Sequence, residues 1–304
     1  MSTGATSRSD IVLGTVVTIT VVGVAGRDPQ QQGEIDAINR GLGWFREVEA
    51  SCSRFDSDSE LMQLTQHVGF PVGVSDLLFE AVRFALAVAE ETDGAFDPTV
   101  GHAMEMRGFN REHRTGAIIT TDIHTPSDVS YRDVECDVER KTVLLKRPLV
   151  LDLGAVAKGL AIDMAARELS AFRDFAIDAG GDLYLSGRNA DRELWSVGIR
   201  HPRLDGKLID VLRVSDKAVC TSGDYERKTD DGHHILDPRT KGSAGVAASA
   251  TVVAPPAMLA DAVATAAFVL GPEAGIELCE SLGLEALIVT GNLERHETNG
   301  LRDE

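Results

Sequence analysis

The sequence predicts an α+β fold of two lobes, and three observations carry that prediction. Helical and strand-like stretches are partly segregated along the 304 residues. Strand spacing in the middle of the chain is hairpin-like, which disfavours a doubly wound sheet. The polar, loop-like stretch 108–132 divides the chain into two lobes without separating two domains. Residues 1–10 are expected to form a flexible N-terminus, 11–292 one domain, and 293–304 a polar C-terminal tail.

The first element reads as a strand. Ile11 to Gly26 is uncharged and rich in β-branched residues, with Leu13, Thr15, Val17, Ile19 and Val21 alternating with Gly14, Val16, Thr18, Thr20 and Val22. A targeting segment is the competing reading. Against it, Asp10 sits where a basic region belongs, the run is short for a membrane span, and no cysteine follows that could carry a lipid. Apolar residues at helical spacing predict helices near 31–50, 75–92, 155–170, 256–270 and 272–282. Strands follow near 142–151, 174–187, 195–200, 208–215, 249–254 and 285–290. For the 256–270 helix, Pro255 and Pro256 suit the start and Gly271 and Pro272 the end. Its expected buried stripe is Leu259, Ala262, Val263, Ala266 and Leu270.

Composition narrows the function. At 43% hydrophobic and 26% charged residues the chain is an ordinary globular one, and its formal charge of -18 disfavours nucleic acid and anionic membrane surfaces as partners. The four cysteines, Cys52, Cys136, Cys220 and Cys279, are scattered and show no zinc-binding spacing. Reduced thiols and a cytoplasmic location are the expectation.

One carboxylate stands out. From Gly242 to Pro272 the only charged side chain is Asp261, and burying a lone carboxylate is costly unless something pairs with it. Thr265 lies four residues on, so both project from one helix face and can offer two hard oxygen ligands to Mg²⁺. The alternative is structural, with Thr265 bonding back to the backbone and Asp261 capping or pairing with an arginine. In LVLDLGAVAKGLAIDMAAREL (149–169) an apolar strand delivers Asp152, Gly154 turns, and a helix carries Lys158, a geometry that can meet phosphate or its metal. GAFDPTVG (94–101), IDAGGDLYLSG (177–187) and TSGDYERKTDDGHHILDPRTKG (221–242) are further turns, each of which singly reads as structural.

Their order carries more than any one of them. LGT at 13–15, SRFDSDSEL at 53–61, GAFDPTVG, DLGAVAKG at 152–159, GGD at 180–182, TSGDY at 221–225, HILDPRT at 234–240 and D-A-x-A-T at 261–265 form a collinear series. That series resembles the ApbE family of FAD:protein FMN transferases from about Leu13 to Thr290. The resemblance implies a T-fold-like α+β enzyme of two intertwined lobes that binds FAD, uses Mg²⁺ on the diphosphate, transfers FMN to a threonine of an acceptor protein and releases AMP. It places the metal at Asp261, Thr265 and Ala155, the last through its backbone carbonyl only. It places flavin contacts at Leu13, Phe55, Ala95, Phe96, Asp97, Asp152, Lys158 and Leu236. Three departures from the family pattern are Leu13 for the usual Met, Phe55 for Tyr or Trp, and Lys241 interrupting D-P-R-T-G.

His234 is the candidate general base, since an unperturbed imidazole titrates near neutrality; a loop-orienting role is its alternative. Two other readings stay open for the chain: an FAD pyrophosphatase yielding FMN and AMP, and a non-catalytic flavin-binding protein. Family acceptor sites resemble S/T-G-A-T, and Ser2 to Thr6 spell that pattern here. Thr6 is therefore a candidate for self-modification, against the plainer reading of a polar terminus.

Overall fold

The computed structural model describes residues 3–24, 28–113, 115–229 and 232–302. Strands β1 (Thr3–Val12) and β2 (Thr15–Val24) pair antiparallel along their whole length. Their turn is Leu13–Gly14, with φ of 53° and 74°. Two expectations are thereby corrected: the segment expected as a flexible arm is a strand, and the strand expected from residue 11 is a hairpin. Backbone pairing with β2 holds β1 although its sequence is polar. Thr6 also donates a hydrogen bond from Oγ1 to the buried carboxylate of Glu34 (2.6 Å). Along an extended strand Thr6 stays roughly 20 Å from the Leu13 turn. Self-modification would require β1 to peel away from β2.

Helix α1 (Asp28–Cys52) crosses back over this hairpin. It leads into α2 (Glu60–Thr65), β3 (Val72–Gly73), α3 (Asp76–Glu91) and α4 (Gly101–Met106). Ser59 and Ser75 cap α2 and α3 by accepting from Met62 N–H and Leu78 N–H. Strands β4 (Val134–Asp137) and β5 (Thr142–Leu145) join β3 in a small sheet of order β3-β5-β4. The strand expected over 142–151 stops at Leu145, although Leu149, Val150 and Leu151 beyond it are fully buried.

Helix α5 (Gly154–Glu168) precedes the hairpin β6 (Phe175–Ala179) and β7 (Asp182–Ser186), which replaces the single strand expected over 174–187. Strands β8 (Trp195–Arg200) and β9 (Leu208–Val214) form a separate ribbon, and β10 (Lys217–Gly223) returns to the main sheet. A short pair, β11 (Lys228–Thr229) and β12 (Gly232–His233), leads to β13 (Ala247–Ala254), α6 (Ala257–Leu270), α7 (Pro272–Ser281), β14 (Glu285–Thr290) and β15 (Arg295–Glu297).

The main sheet has eight antiparallel strands in the order β1-β2-β6-β7-β10-β13-β14-β15. Strands from both ends of the chain enter it, so the lobes interlock. Helices α1, α5 and α6 cover one face. On the other, Val197, Ile199, Leu212 and Val214 of the β8–β9 ribbon pack on Leu185, Val219, Val253 and Leu287. Strand β13 is therefore buried on both faces over all eight residues. Within the expected polar tail of 293–304, Arg295–Glu297 form edge strand β15 and Leu301 is buried. Helix α6 has no single buried stripe: Ala260, Asp261, Ala262, Val263 and Ala264 are all buried, whereas Leu259 and Leu270 are only partly so. Among the described residues no helix is long and apolar enough to cross a membrane.

Candidate functional site

The site begins with the contact between α5 and α6. A Cβ on Gly159 would lie 2.4 Å from Met258 Cα, so only glycine lets the helices meet this closely. Pro256 has no N–H and its side chain cannot cap α6. Asp163 of α5 does so instead, with Oδ1 accepting from Ala257 N–H (2.7 Å) and Oδ2 from Met258 N–H (3.0 Å). These two devices set Lys158, the neighbour of Gly159, against Asp261.

Lys158 Nζ donates to Asp261 Oδ2 (3.0 Å) and also to Asp182 Oδ2 at the start of β7. Asp182 Oδ1 accepts from Thr221 N–H of β10 (3.2 Å). Both carboxylates are buried. Burial disfavours the Lys158 charge, but Asp182 and then Asp261 hold the ammonium well above its ordinary range. One ammonium cannot neutralise two carboxylates. Burial pushes Asp261 up to about 6, against the pull of the Lys158 ammonium and with a smaller push from the Asp182 charge. Thr265 Oγ1 lies 3.0 Å from Ser222 Oγ on β10, so it pairs with a side chain and not with its own helix backbone.

All twelve residues singled out from the sequence line one open cleft of about 1200 Å³: Leu13, Phe55, Ala95, Phe96, Asp97, Asp152, Ala155, Lys158, His234, Leu236, Asp261 and Thr265. Leu13 is held at the rim because its N–H donates to Glu49 Oε1 (2.8 Å). Arg54, almost wholly buried, organises the middle. Its guanidinium stacks 4.2 Å over the Phe55 ring, pairs with Asp152 and donates to Phe109 O. One face of Phe55 is thus already covered. Asp152 Oδ1 also accepts from Gly154 N–H (2.8 Å), and against the cost of burial Arg54 keeps its carboxyl below the ordinary range.

Two sequence expectations need correction in detail. Asp97 is at the cleft, but Oδ1 accepts from Thr99 N–H and Oγ1 (2.8 and 2.7 Å) and Oδ2 from Tyr131 N–H (3.0 Å). Most of its accepting capacity is spent on the turn it caps. His234 lacks a pKa near neutrality: burial first, then the Arg227 charge, push it down to about 3, and its buried Nδ1 has no hydrogen-bond partner. It is a neutral imidazole. Sequence reasoning missed Arg54, Ser222 and Glu226. Glu226 reaches solvent at the cleft mouth, yet loss of water against the walls and then the Asp182 charge raise it to about 6. Each sits beside or inside a quoted motif, but only the fold shows which way it faces.

The donor chemistry suits a hard cation. Among the described residues no three His, Cys, Asp or Glu side chains converge as a complete cage. The Asp261 carboxylate, the Thr265 hydroxyl and the Ala155 carbonyl are oxygen donors of the kind Mg²⁺ takes when substrate phosphates and water complete its shell. The chain fits this partial set.

Comparison with known proteins agrees with the cleft. The sequence profile of the ApbE family matches residues 13–288. The FAD:protein FMN transferase of Treponema pallidum is 32% identical over 308 residues, which cover 93% of this chain and 84% of that protein. Its namesake from Vibrio cholerae is 30% identical over 269 residues, covering 85% and 78%. The crystal structure of the ApbE protein from Thermotoga maritima superposes with a TM-score of 0.83 at 31% identity, covering 97% of each chain. A profile match over most of the length, relatives alike over most of theirs, and a shared three-dimensional fold establish that this chain belongs to the ApbE family.

Proposed function

We propose that the protein is a Mg²⁺-dependent FAD:protein FMN transferase that moves FMN from FAD onto a threonine hydroxyl of an acceptor protein and releases AMP. The observation that carries this reading is the convergence, in one cleft of about 1200 Å³, of aromatic and apolar residues with the Lys158–Asp182–Asp261–Thr265 cluster. Relatives bearing that name over most of their length support the same reading.

In this reading Leu13, Phe55, Ala95, Phe96 and Leu236 enclose the flavin and adenine rings, and Lys158 meets the diphosphate. Asp261, Thr265 and the Ala155 carbonyl hold Mg²⁺, which when bound supplies charge compensation on the diphosphate oxygens. The acceptor hydroxyl forms a new P–O bond to the FMN-side phosphorus, the anhydride bond to AMP breaks, and the hydroxyl proton passes to a base. His234 is that base. It is neutral and so able to accept, and an anionic diphosphate beside it raises its proton affinity above the low value of the empty cleft. The acceptors are cytoplasmic or face the cytoplasm; all four cysteines are free thiols, as a reducing compartment allows. Fractionation of the native protein outside the cytoplasmic membrane would overturn that placement.

Mass spectrometry after incubation with FAD, Mg²⁺ and an acceptor carrying an S/T-G-A-T site decides the activity. An FMN adduct on threonine is expected. Free FMN and AMP without an adduct would make the protein a pyrophosphatase, and intact FAD would make it a binding protein.

A further inference from the structure

Lys158 is the only side chain among the described residues that hydrogen-bonds to Asp261, and it engages Asp182 at the same time. The oxygen it occupies, Asp261 Oδ2, belongs to a carboxylate assigned above to the metal. We propose that Lys158 is a placeholder cation: its ammonium offsets one of the two charges of the Asp182–Asp261 pair in the metal-free protein, and a divalent ion must displace it from Asp261 in order to bind. This rests on the reading of Asp261 and Thr265 as metal ligands.

Geometry and charge both require the displacement. A Mg²⁺ ion sits about 2.1 Å from a ligand oxygen, so an ammonium 3.0 Å from that same oxygen competes for its lone pairs. A divalent ion and an ammonium held on the same carboxylate also repel each other. Lys158 has somewhere to go. Its side chain is 23% exposed and opens on the cleft, whereas those of Asp182 and Asp261 are 8% and 7% exposed and stay fixed.

The cluster has net charge -1 with Lys158 in place and becomes net positive once a divalent ion joins. Only then does it attract a diphosphate, and the released ammonium is free to turn toward it. Metal and FAD therefore load cooperatively, and the empty site repels the anionic substrate. Asp182 keeps a role throughout as the residual anchor of Lys158, which makes it a positioning residue and not a metal ligand.

The test is Mn²⁺ affinity of the full-length protein, followed by electron paramagnetic resonance with and without FAD. Without FAD, Lys158→Met should bind Mn²⁺ tighter than wild type by about tenfold or more. Lys158→Gln, which keeps a polar head should the Met variant fold poorly, should move the same way. Lys158→Arg retains the charge and should stay close to wild type. FAD should tighten Mn²⁺ binding more in wild type than in either neutral variant. If the neutral variants bind Mn²⁺ no tighter than wild type, Lys158 does not compete and the inference is wrong. If wild type binds no Mn²⁺ even with FAD, the metal site itself is misassigned and both readings fall.

Discussion

At the scale of single residues, the site depends on a few groups whose environments differ sharply from water. Asp261→Ala removes a buried charged oxygen and should lower FMN transfer by about 10²-fold or more while weakening FAD binding less. Thr265→Val keeps the shape, loses the hydroxyl shared with Ser222 and should give a smaller loss. Initial rates at limiting Mg²⁺ check both, and wild-type rates in both variants would remove the metal from this position. His234→Asn should slow transfer by about 10²- to 10⁴-fold with FAD affinity nearly intact. A stability signature accompanies this. The folded pKa of about 3 lies below the ordinary 6.5, so the unfolded chain binds the extra proton between those values and stability rises with pH across that window. Acidification below 6.5 should cost about 1.4 kcal/mol per pH unit from this group, and His234→Gln should flatten the slope of unfolding free energy between pH 5 and about 6.5 in the substrate-free protein. The residue types and their order were legible in the sequence because motifs are local. Their partners were not. Lys158 meets Asp261 across 103 positions and Arg54 meets Asp152 across 98, and only packing brings such pairs together.

At the scale of elements, α5 and α6 act as a single mount for the Lys158–Asp261 end of the cleft. Gly159→Ala places a methyl against the Met258 backbone, and the helices must separate to accept it. We expect a loss of about 1–3 kcal/mol in denaturant unfolding and a fall in transfer rate larger than stability alone explains, because Lys158 and Asp261 move apart. Asp163→Ala leaves the α6 N-terminus uncapped and should cost about 0.5–2 kcal/mol. The long helices were legible because their apolar periodicity runs over several turns. Helices α2 and α4, at six residues each, are too short to show a period. Strand β1 was invisible for a different reason: TGATSRSDIV carries little apolar alternation, since an edge strand is held by backbone pairing and needs few buried side chains. Lys241 shows the reverse. It interrupts a run expected to reach glycine directly, and it adopts φ of 56°, the left-handed conformation a glycine there would favour.

At the scale of the whole molecule, the eight-stranded sheet is closed at its two edges by the ends of the chain, β1 and β15. Deleting residues 295–304 removes an edge strand and the buried Leu301. The truncated protein should unfold at a temperature lower by several degrees in a thermal scan, an outcome a free polar tail would not give. The α+β class was legible from the spacing of apolar runs, whereas the strand order was not, because neighbours such as β2 and β6 lie more than a hundred residues apart. That order also distributes firmness unevenly over the cleft. Asp182, Thr221 and Ser222 stand on central strands β7 and β10, paired on both sides, whereas Leu13 sits in the turn of the outermost hairpin. Amide hydrogens of β7 and β10 near Lys158 and Asp261 should therefore exchange with deuterium only on global opening, while those of β1 should exchange orders of magnitude faster through fraying of the hairpin. The protein would then grip its substrate as a vice does, with one fixed jaw and one that yields.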